Sequence, residues 1–308
     1  MKTFKVNDGL LDRVWKNRMV YTLLIPGLVW YVIFAYGPMG GLSLAFKEYF
    51  ATKGILGSPW TGLENYRYVF QDPAFLNSVW KTLYINVGRM VFEFPVPIIL
   101  ALMLNELKFI RFKKMLQSIL TFPHFLSWVV VASVLINILG HDGMVNSILV
   151  LLGGKEFNFL GNAPIFQPFL YITNSWKNAG WSAIIYLAAI AGIHMDQYEA
   201  ADIDGATRLQ KIFHVTLPSI MPTIVVMFIL AMGGLMSTGF DQIFNLSNPA
   251  VRDVSEILDM YIYRITFKSS PNFGFSMAVS LFRSSINLIL LLLADWGAKL
   301  MGSDGLLG

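Results

Sequence analysis

Six long apolar stretches, separated by polar or charged segments, constrain this chain of 308 residues more than any other feature. A bilayer core needs about 20 mostly apolar residues for each crossing helix, and every stretch reaches that length. A helix satisfies its own backbone hydrogen bonds in lipid, and strand-like alternation is absent, so we expect each stretch to be helical. The predicted spans cover residues 19–46, 82–104, 115–139, 166–193, 218–246 and 273–293. The sequence therefore predicts an all-α membrane protein with six transmembrane helices.

The composition agrees with a membrane protein, because 55% of the residues are hydrophobic and only 14% are charged. The sequence has no cysteine, which excludes disulfide bonds and thiolate metal sites. The first stretch is too long for the apolar part of a signal peptide and lacks a small-residue cleavage site, so we expect it to be retained. Residues 144–152 are too few to span and are predicted to lie at the membrane surface.

The positions of Lys and Arg predict how the spans are oriented. More of these cations lie on the side of both termini than in the opposite loops, although the opposite loops are longer. The positive-inside bias therefore places both termini in the cytoplasm. We expect one transmembrane domain over residues 1–308, with a cytoplasmic loop at 194–217 and external loops at 47–81, 140–165 and 247–272. Because charge is distributed by membrane side rather than gathered in one patch, no nucleic-acid partner is expected.

The loop between the fourth and fifth stretches is short, charged and rich in helix-forming residues. Glu199 is predicted to begin a short helix, and the two alanines that follow it would let a partner approach closely. Gly205 supplies the backbone freedom that a turn requires. A second short helix is expected at 208–215, and Pro218 suits the first turn of the next span. The loop is either an ordinary connector or a docking surface for a partner outside the membrane.

A family resemblance favours the docking surface. The sequence reads Glu-Ala-Ala from Glu199, then glycine after three further residues, and it ends in Leu217 and Pro218. Val215 stands where the family pattern more often has isoleucine. This spacing resembles the EAA loop of the permease subunits of binding-protein-dependent ABC importers.

Two further segments, 62–66 and 181–191, resemble the maltose-type carbohydrate permeases. Within that family the chain is most similar, along nearly its whole length, to the subgroup that imports complex saccharides, some of them acidic, such as alginate. This resemblance implies a type I ABC importer permease fold in the bacterial cytoplasmic membrane. It also implies a second permease subunit, an extracellular solute-binding protein and an oligosaccharide or polysaccharide substrate.

The resemblance also implies that the loop couples ATP hydrolysis by separate cytoplasmic ATPase subunits to alternating access of the spans. The residues assigned to this coupling are Glu199, Ala200, Ala201, Asp204, Gly205, Ala206, Leu217 and Pro218. ATP and Mg²⁺ are expected on the partner ATPase, and no cofactor in this chain, because the phosphate-loop pattern G-x-x-x-x-G-K-S/T is absent. No H-E-x-x-H or G-x-S-x-G motif occurs either, so the sequence predicts neither a metal site nor a catalytic residue.

Ionisable residues within the predicted spans are candidates for a substrate path, because charge at such depth is costly and usually faces the bundle interior or a wet cavity. These residues are Arg89, Glu93, Lys177, Asp241 and Arg283. Arg89 and Glu93 stand one helical turn apart and either pair only with each other or line the path. The others either bond neighbouring helices or line the path. With three cations against two anions, a saccharide that carries carboxylates is favoured.

Aromatic side chains form a second set of path candidates, since they can stack on sugar rings; they are Trp176, Trp181, Tyr186 and Phe240. The alternative is a position facing lipid or at the membrane interface, where aromatic residues are common. Gly233 and Gly234 are expected to allow close helix packing or a bend.

Two other classes of protein stay open at this point. A secondary carbohydrate transporter or channel would also have six spans with buried charges, but it would not need a docking loop of this pattern, and no internal repeat is evident. A membrane enzyme would need a convergent catalytic set, and none is evident in the sequence. Co-purification separates an importer subunit from a secondary transporter, since only the importer subunit brings an ATPase with it.

Overall fold

The computed structural model describes residues 15–268, 272–302 and 305–306, and this part of the chain is mostly helical. Its α-helices, numbered α1 to α16 in chain order, are Arg18–Tyr31, Gly54–Gly57, Glu64–Gln71, Pro73–Phe92, Pro95–Asn105, Ile110–Thr121, Trp128–Leu139, Met144–Leu151, Ala163–Ala191, Met195–Ile203, Arg208–Lys211, Leu217–Gly233, Phe240–Leu246, Arg252–Ser255, Leu258–Tyr263 and Phe273–Leu300. Short 3-10 or π segments join several of them: Val32–Tyr36, Gly37–Phe46, Phe122–Phe125, Ile212–Thr216, Leu235–Ser237, Pro249–Val251 and Arg264–Lys268. Within these described ranges one isolated bridge, Lys47 with Trp60, is the nearest approach to a β-sheet.

One of two compact units consists of the described residues up to 69 together with residues 272–281. Its first element is a continuous helical run, Arg18–Phe46, in which α1 has no buried side chain. An apolar helix exposed all round is stable only in an apolar solvent or against a partner. At the end of the run, the Asn65 amide donates to the carbonyl oxygens of Ala45 and Lys47 at 3.0 Å each. These bonds hold the following loop against the end of the helical run.

The other unit consists of residues 70–268 and the described residues from 282 onward, and α9 lies at its centre. Helix α9 contributes Phe166 and Leu170 to one buried apolar cluster and Ala183 to a second. Between these clusters Gly180 lies against the backbone of Leu120 so closely that a Cβ atom would collide with the Leu120 carbonyl oxygen. Helix α9 thus connects both clusters and approaches the backbone near the end of α6.

Five helical runs are long and apolar enough to cross a bilayer, and a sixth is obtained if α9 and α10 count as one span bent by 72°. The five runs are Arg18–Phe46, Pro73–Asn105, Trp128–Leu151, Arg208–Gly233 and Phe273–Leu300. The prediction of several apolar, membrane-type helices is therefore confirmed for the described residues. The count of six spans and the orientation of the termini stay predictions.

The second run begins earlier than the sequence suggested. Its first helical residue is Pro73, not residue 82. The Asp72 side chain caps the helix by accepting a hydrogen bond from the Ala74 nitrogen at 2.8 Å. Proline suits the first helical position, where its missing N–H costs nothing. These local signals start the helix in a segment that the hydropathy pattern had assigned to an external loop.

The third predicted stretch, 115–139, is not one helix. Helix α6 ends at Thr121, a 3-10 turn that contains Pro123 follows, and Leu126 is extended. Proline removes a helical N–H and disfavours helical geometry at the residue before it. Ser127 then caps α7 by accepting a hydrogen bond from the Val130 nitrogen at 3.3 Å.

The fifth predicted stretch, 218–246, is also not one continuous helix. Its helical run starts at Arg208 and passes through a π segment into α12. The run stops at Gly233, and α13 begins only at Phe240. Between them Gly239 has a φ of 99°, in the region that favours glycine. The chain is therefore broken in the middle of its fifth apolar stretch.

Candidate functional site

Two asparagine side chains form hydrogen bonds with backbone groups at the break between α12 and α13. The Asn86 amide, on α4, donates to the carbonyl oxygens of Leu235 at 2.6 Å and Thr238 at 3.3 Å. From α16, the Asn287 carbonyl oxygen accepts a hydrogen bond from the Met236 nitrogen at 2.8 Å. In an apolar surrounding an unpaired backbone group costs several kcal/mol, so a broken membrane helix needs such partners. The break is therefore a built feature and not a frayed end.

A buried ion pair lies beside the break. The Arg89 side chain is 5% exposed, and its Nε lies 3.8 Å from a carboxylate oxygen of Glu93, one helical turn further on. The guanidinium also donates to the Gln242 side-chain oxygen on α13. Gln242 in turn donates to the Leu170 carbonyl oxygen at 2.8 Å and to the Thr173 hydroxyl at 2.9 Å. Arg89 thus connects α4, α13 and α9 through one polar network.

Gly239 is required at this point for two reasons. Its φ of 99° is strained for other residues. A Cβ atom there would also lie 2.9 Å from Nη2 of Arg89 and 3.0 Å from its Cζ. Glycine therefore lets the broken backbone approach the buried guanidinium.

A chain of hydrogen bonds leads from the ion pair toward α6. The Asn174 amide donates to the Glu93 carboxylate, and the Asn178 amide donates to the Asn174 carbonyl oxygen at 2.8 Å. The Asn178 carbonyl oxygen then lies 3.0 Å from Nδ1 of His124. Because a carboxylate only accepts, it fixes the orientation of both amides and assigns the proton to Nδ1 of His124. The His124 ring stacks on Trp181, with the centroids 4.7 Å apart and the planes at 3°.

A cavity of about 250 Å³ opens beside this network. Its polar lining consists of Asn86, Arg89, Glu93, Asn174, Ser175, Asn178, Ser182 and Thr238, and its apolar lining includes Met90, Phe94, Pro97, Tyr186 and Met227. A concave, mostly apolar site with a few convergent polar groups is typical of small-molecule binding. Of the nine path candidates from the sequence, Arg89, Glu93 and Tyr186 line this cavity. The sequence patterns did not single out Asn174 and Asn178 as candidates, although these two amides stand one turn apart in an apolar stretch.

The other two cations of the predicted spans have different partners. Lys177 is buried and donates to the His124 carbonyl oxygen at 2.9 Å, with its ammonium group 5.7 Å from the Trp128 ring centroid. Arg283 forms an ion pair with Asp259, which the sequence had placed in an external loop. Arg89 and Arg283 are thus each paired with a carboxylate, whereas Asp241 is exposed and forms no ion pair with them. Of the three cations only Lys177 has no carboxylate partner among the described residues, so the count of three cations to two anions is weak support for an acidic substrate.

The remaining candidates lie at accessible positions. Trp176 and Trp181 are 55% and 44% exposed. Phe240 stacks on Phe244 with ring centroids 5.3 Å apart, and Asp241 is exposed beside it. None of these four lines the cavity, so the structure does not bring them together with Arg89.

The polar loop after α9 is a helical hairpin of two arms. Glu199, Ala200 and Ala201 lie inside α10, which starts at Met195, so the prediction that Glu199 begins the helix is wrong. The backbone of His194 is extended immediately before that start and sets the boundary earlier. The second arm is not a separate helix, because α11 is the first turn of the run Arg208–Gly233, which also contains Leu217 and Pro218.

The turn between the arms has the predicted geometry. Gly205 has a φ of 74°, and Asp204 and Ala206 flank it. Thr207 then forms a capping box with Gln210, and Lys211 forms an ion pair with Asp202 of the first arm. These contacts fix the angle between the two arms without help from another chain.

The hairpin encloses a cleft of about 480 Å³, lined by Gln197, Ala200, Ala201, Asp204, Gly205, Ala206, Gln210, Lys211, His214 and Val215. Apolar side chains lie exposed around it: Ile203 is 87% exposed, Leu209 67% and Phe213 60%. Contiguous exposed apolar groups rimmed by polar ones mark interaction sites. Six of the eight predicted coupling residues thus belong to the hairpin around its turn, and the other two lie in the helix that leads from it.

A cavity beside a broken membrane helix, joined by one helical run to an exposed hairpin, is the arrangement expected of a membrane permease. Residues 94–302 match the profile of one family over more than half of the chain. The chain belongs to that family, the binding-protein-dependent transport system inner membrane components.

Curated relatives agree with this membership. The chain is 40% identical over 298 residues to the polygalacturonan/rhamnogalacturonan transport system permease protein YteP of Bacillus subtilis, covering 96% of this chain and 92% of the relative. It is 37% identical over 292 residues to Protein LplB of the same organism, covering 94% and 92%.

A solved structure is also similar. A chain of a bacterial alginate ABC transporter, in complex with an alginate pentasaccharide-bound periplasmic protein, superposes with a TM-score of 0.86 at 33% identity. The match covers 97% of this chain and all of that chain. The type I ABC permease fold inferred from the resemblance is therefore confirmed.

Proposed function

We propose that this chain is one permease subunit of an ATP-driven importer of oligosaccharides or polysaccharides, acidic ones among them. It lies in the bacterial cytoplasmic membrane with both termini in the cytoplasm. A second permease completes the path, and an extracellular solute-binding protein delivers the substrate. The names of the relatives support the saccharide class, since one transports polygalacturonan and another imports alginate.

The exposed hairpin is the observation that carries this proposal. A secondary carrier needs a path but no docking surface, whereas the hairpin presents an alanine-lined cleft and exposed apolar side chains. A partner ATPase would seat on this surface and hold ATP and Mg²⁺. Because the second arm is continuous with α12, a displacement of the hairpin would be transmitted toward the break at Gly233. Nucleotide-driven closure would thereby reach the cavity.

The residues that line the cavity beside the break suit a path for saccharides. Hydroxyl-rich saccharides need both donors and acceptors, which the amides of Asn174 and Asn178 supply, and an apolar surface, which Tyr186 and Met227 supply. Glu93 holds the Asn174 amide in one orientation. Arg89 and Glu93 neutralise each other in this arrangement, so the cavity itself suits a neutral part of a saccharide.

The test compares two glycines at positive φ. Gly205 and Gly153 have φ values of 74° and 81°, and at neither would a Cβ atom meet anything within 4 Å. Gly205→Val and Gly153→Val therefore impose similar backbone strain, but only the first changes the hairpin. In proteoliposomes with the ATPase, second permease and binding protein, ATP-driven saccharide uptake should fall at least about tenfold for Gly205→Val, as loss of a coupling contact requires.

Gly153→Val should retain uptake close to that of the unmodified complex. ATPase subunits should co-purify with the unmodified chain and be lost or uncoupled with Gly205→Val. Undiminished uptake by Gly205→Val, or uptake driven by an ion gradient without any ATPase, would show that the proposal is wrong.

A further inference from the structure

A second cavity lies on the far side of the break from the hairpin. Helix α4 gives the order along the bundle: Asn86 lies at the break, whereas Thr82, earlier in α4, accepts a hydrogen bond from the Leu258 nitrogen at 2.7 Å. At the other end, α9 passes from Leu170, at the break, to the start of the hairpin. The segment 247–268 therefore lies beyond the break, away from the hairpin.

This segment forms a groove of about 510 Å³, called here the basic groove, which is lined by Ser247, Asn248, Pro249, Arg252, Ser255, Glu256, Met260, Tyr263, Arg264 and Lys268. Its size is within the range of small-molecule sites. All ten residues belong to one compact unit, so the groove is formed within that unit.

Positive charge exceeds negative charge in the basic groove. The Glu256 carboxylate accepts a hydrogen bond from Nε of Arg264 at 2.7 Å and lies 3.7 Å from Nη2 of Arg252. One carboxylate thus serves two guanidinium groups. No ion pair of Lys268 occurs among the residues that the structure describes, and its ammonium group lies 6.0 Å from the Tyr263 ring centroid. Three cations against one anion leave an excess of two positive charges.

Aromatic rings continue from the basic groove toward the break. Tyr263 packs against Phe244 at 5.0 Å and Phe240 at 6.0 Å between ring centroids, and against Phe267 at 5.6 Å. Phe244 is 41% and Phe267 70% exposed. Phe240 follows Gly239 directly, so the rings extend from the groove to the break. Exposed aromatic faces can pack on the C–H faces of pyranose rings.

The geometry points to the basic groove as a binding site for the uronate units of an acidic oligosaccharide. Arg252 and Lys268 bind the carboxylates, and the ring of Tyr263 packs on the sugar. Arg264 is held by Glu256 and positions that carboxylate between the cations. This inference rests on the proposed function, and it assigns acid selectivity to the groove beyond the break and not to the cavity at Arg89. A uronate combines a carboxylate with an apolar ring face, which matches the pairing of cations and aromatic rings here.

The experiment uses one saccharide in two charge states. Trigalacturonate and its methyl ester share the same rings, but only the acid carries carboxylates. Binding of each to the purified complex in nanodiscs, without the binding protein, is measured by calorimetry at low salt. The variant is Arg252→Gln with Lys268→Gln. The matched control is Lys53→Gln with Lys155→Gln, two exposed cations elsewhere that change the net charge equally.

The groove variant should bind the acid about tenfold more weakly and the ester unchanged, since charged hydrogen bonds carry the difference. The control variant should bind both as the unmodified complex does, and added salt should weaken only the acid. Equal losses for acid and ester, or equal losses in both variants, would overturn the inference. An effect that appears only with the binding protein present would identify a docking surface for that protein and would also overturn it.

Uptake of the ester separates this inference from the proposed function. If the groove variant imports the ester with ATP at the unmodified rate, the permease function holds and the calorimetry decides the groove alone. If the unmodified complex binds neither saccharide, the inference is wrong. If it imports neither with ATP, the proposed function is wrong as well.

Discussion

The side-chain amide of Asn86 donates to the backbone carbonyl oxygen of Leu235 at 2.6 Å, although 149 positions separate the two residues. This contact connects α4 to the break in the fifth apolar stretch. A helix that stops within a membrane leaves carbonyl groups without partners, and an amide from a neighbouring helix replaces them. The position of the break is thus decided by a partner on another helix.

Asn86→Leu should destabilise the protein by about 1–2 kcal/mol. This exceeds the average of about 0.6 kcal/mol for a side-chain hydrogen bond in a membrane protein, because the carbonyls of Leu235 and Thr238 both lose their donor. Thermal unfolding of the purified complex in detergent measures the loss. Asn245→Leu is the control, since that amide bonds only the Asp241 carbonyl oxygen of its own helix among the described contacts. A similar loss in both variants would show that Asn86 has no special role.

Gly239→Ala should cost more stability than Gly62→Ala. Both glycines have positive φ, at 99° and 63°, so both substitutions carry a strain of about 1–2 kcal/mol. A Cβ atom at Gly62 meets nothing within 4 Å, whereas one at Gly239 presses on Arg89. Unfolding temperatures give the difference, and uptake should fall only for Gly239→Ala, because Arg89 lines the cavity. Equal effects would mean that backbone strain alone explains the glycine.

Glu93→Gln should destabilise the protein by about 3 kcal/mol, because it leaves the buried Arg89 without a counter-charge. The double variant with Arg89→Met should be closer to the unmodified protein, since removing both charges also removes the desolvation cost. A double-mutant cycle on unfolding free energies measures this coupling.

The comparison for this prediction is the exposed ion pair between Lys211 and Asp202, whose aspartate is 62% exposed. Asp202→Asn should change stability by less than about 1 kcal/mol. A double variant at Arg89 and Glu93 that is less stable than Glu93→Gln alone would contradict the account of the buried pair.

The Tyr261→Phe variant should lose less stability at alkaline pH than the unmodified protein does. Burial, and then the hydrogen bond at 2.5 Å from its hydroxyl to Asp72, raise the pKa of Tyr261 above its ordinary value of about 10. The folded state favours the neutral phenol, so this stabilisation is complete below about pH 10 and is lost as pH rises toward the raised folded pKa. Between about pH 9 and 11 the unfolding temperature should therefore fall more for the unmodified protein than for Tyr261→Phe.

At neutral pH the same variant should be less stable by about 1 kcal/mol, because it lacks the hydrogen bond to Asp72. Parallel pH profiles for the two proteins would show that Tyr261 does not titrate differently in the folded and unfolded states.

Local sequence signals were sufficient for part of the site. The spacing from Glu199 to Pro218 predicted the hairpin and the family, and the positive φ of Gly205 follows from the turn that the spacing requires. The same signals misplaced the start of α10. They also predicted the second arm as a separate short helix, whereas it is continuous with α12. Hydropathy does not register a helix boundary set by one residue, such as the Asp72 side chain that caps α4 or the extended backbone of His194 before α10.

The sequence by itself determined a helical membrane protein, because apolar length is a property of neighbouring residues, and its spaced loop pattern carried the resemblance to the ABC importer permeases. Only the tertiary structure decided where the fifth stretch breaks and which charges cancel. Asn86 and Leu235, or Arg283 and Asp259, meet because helices pack side by side. A charge counted along the chain has no known partner until that packing is fixed, and the partner decides whether the charge is neutralised or left for a ligand.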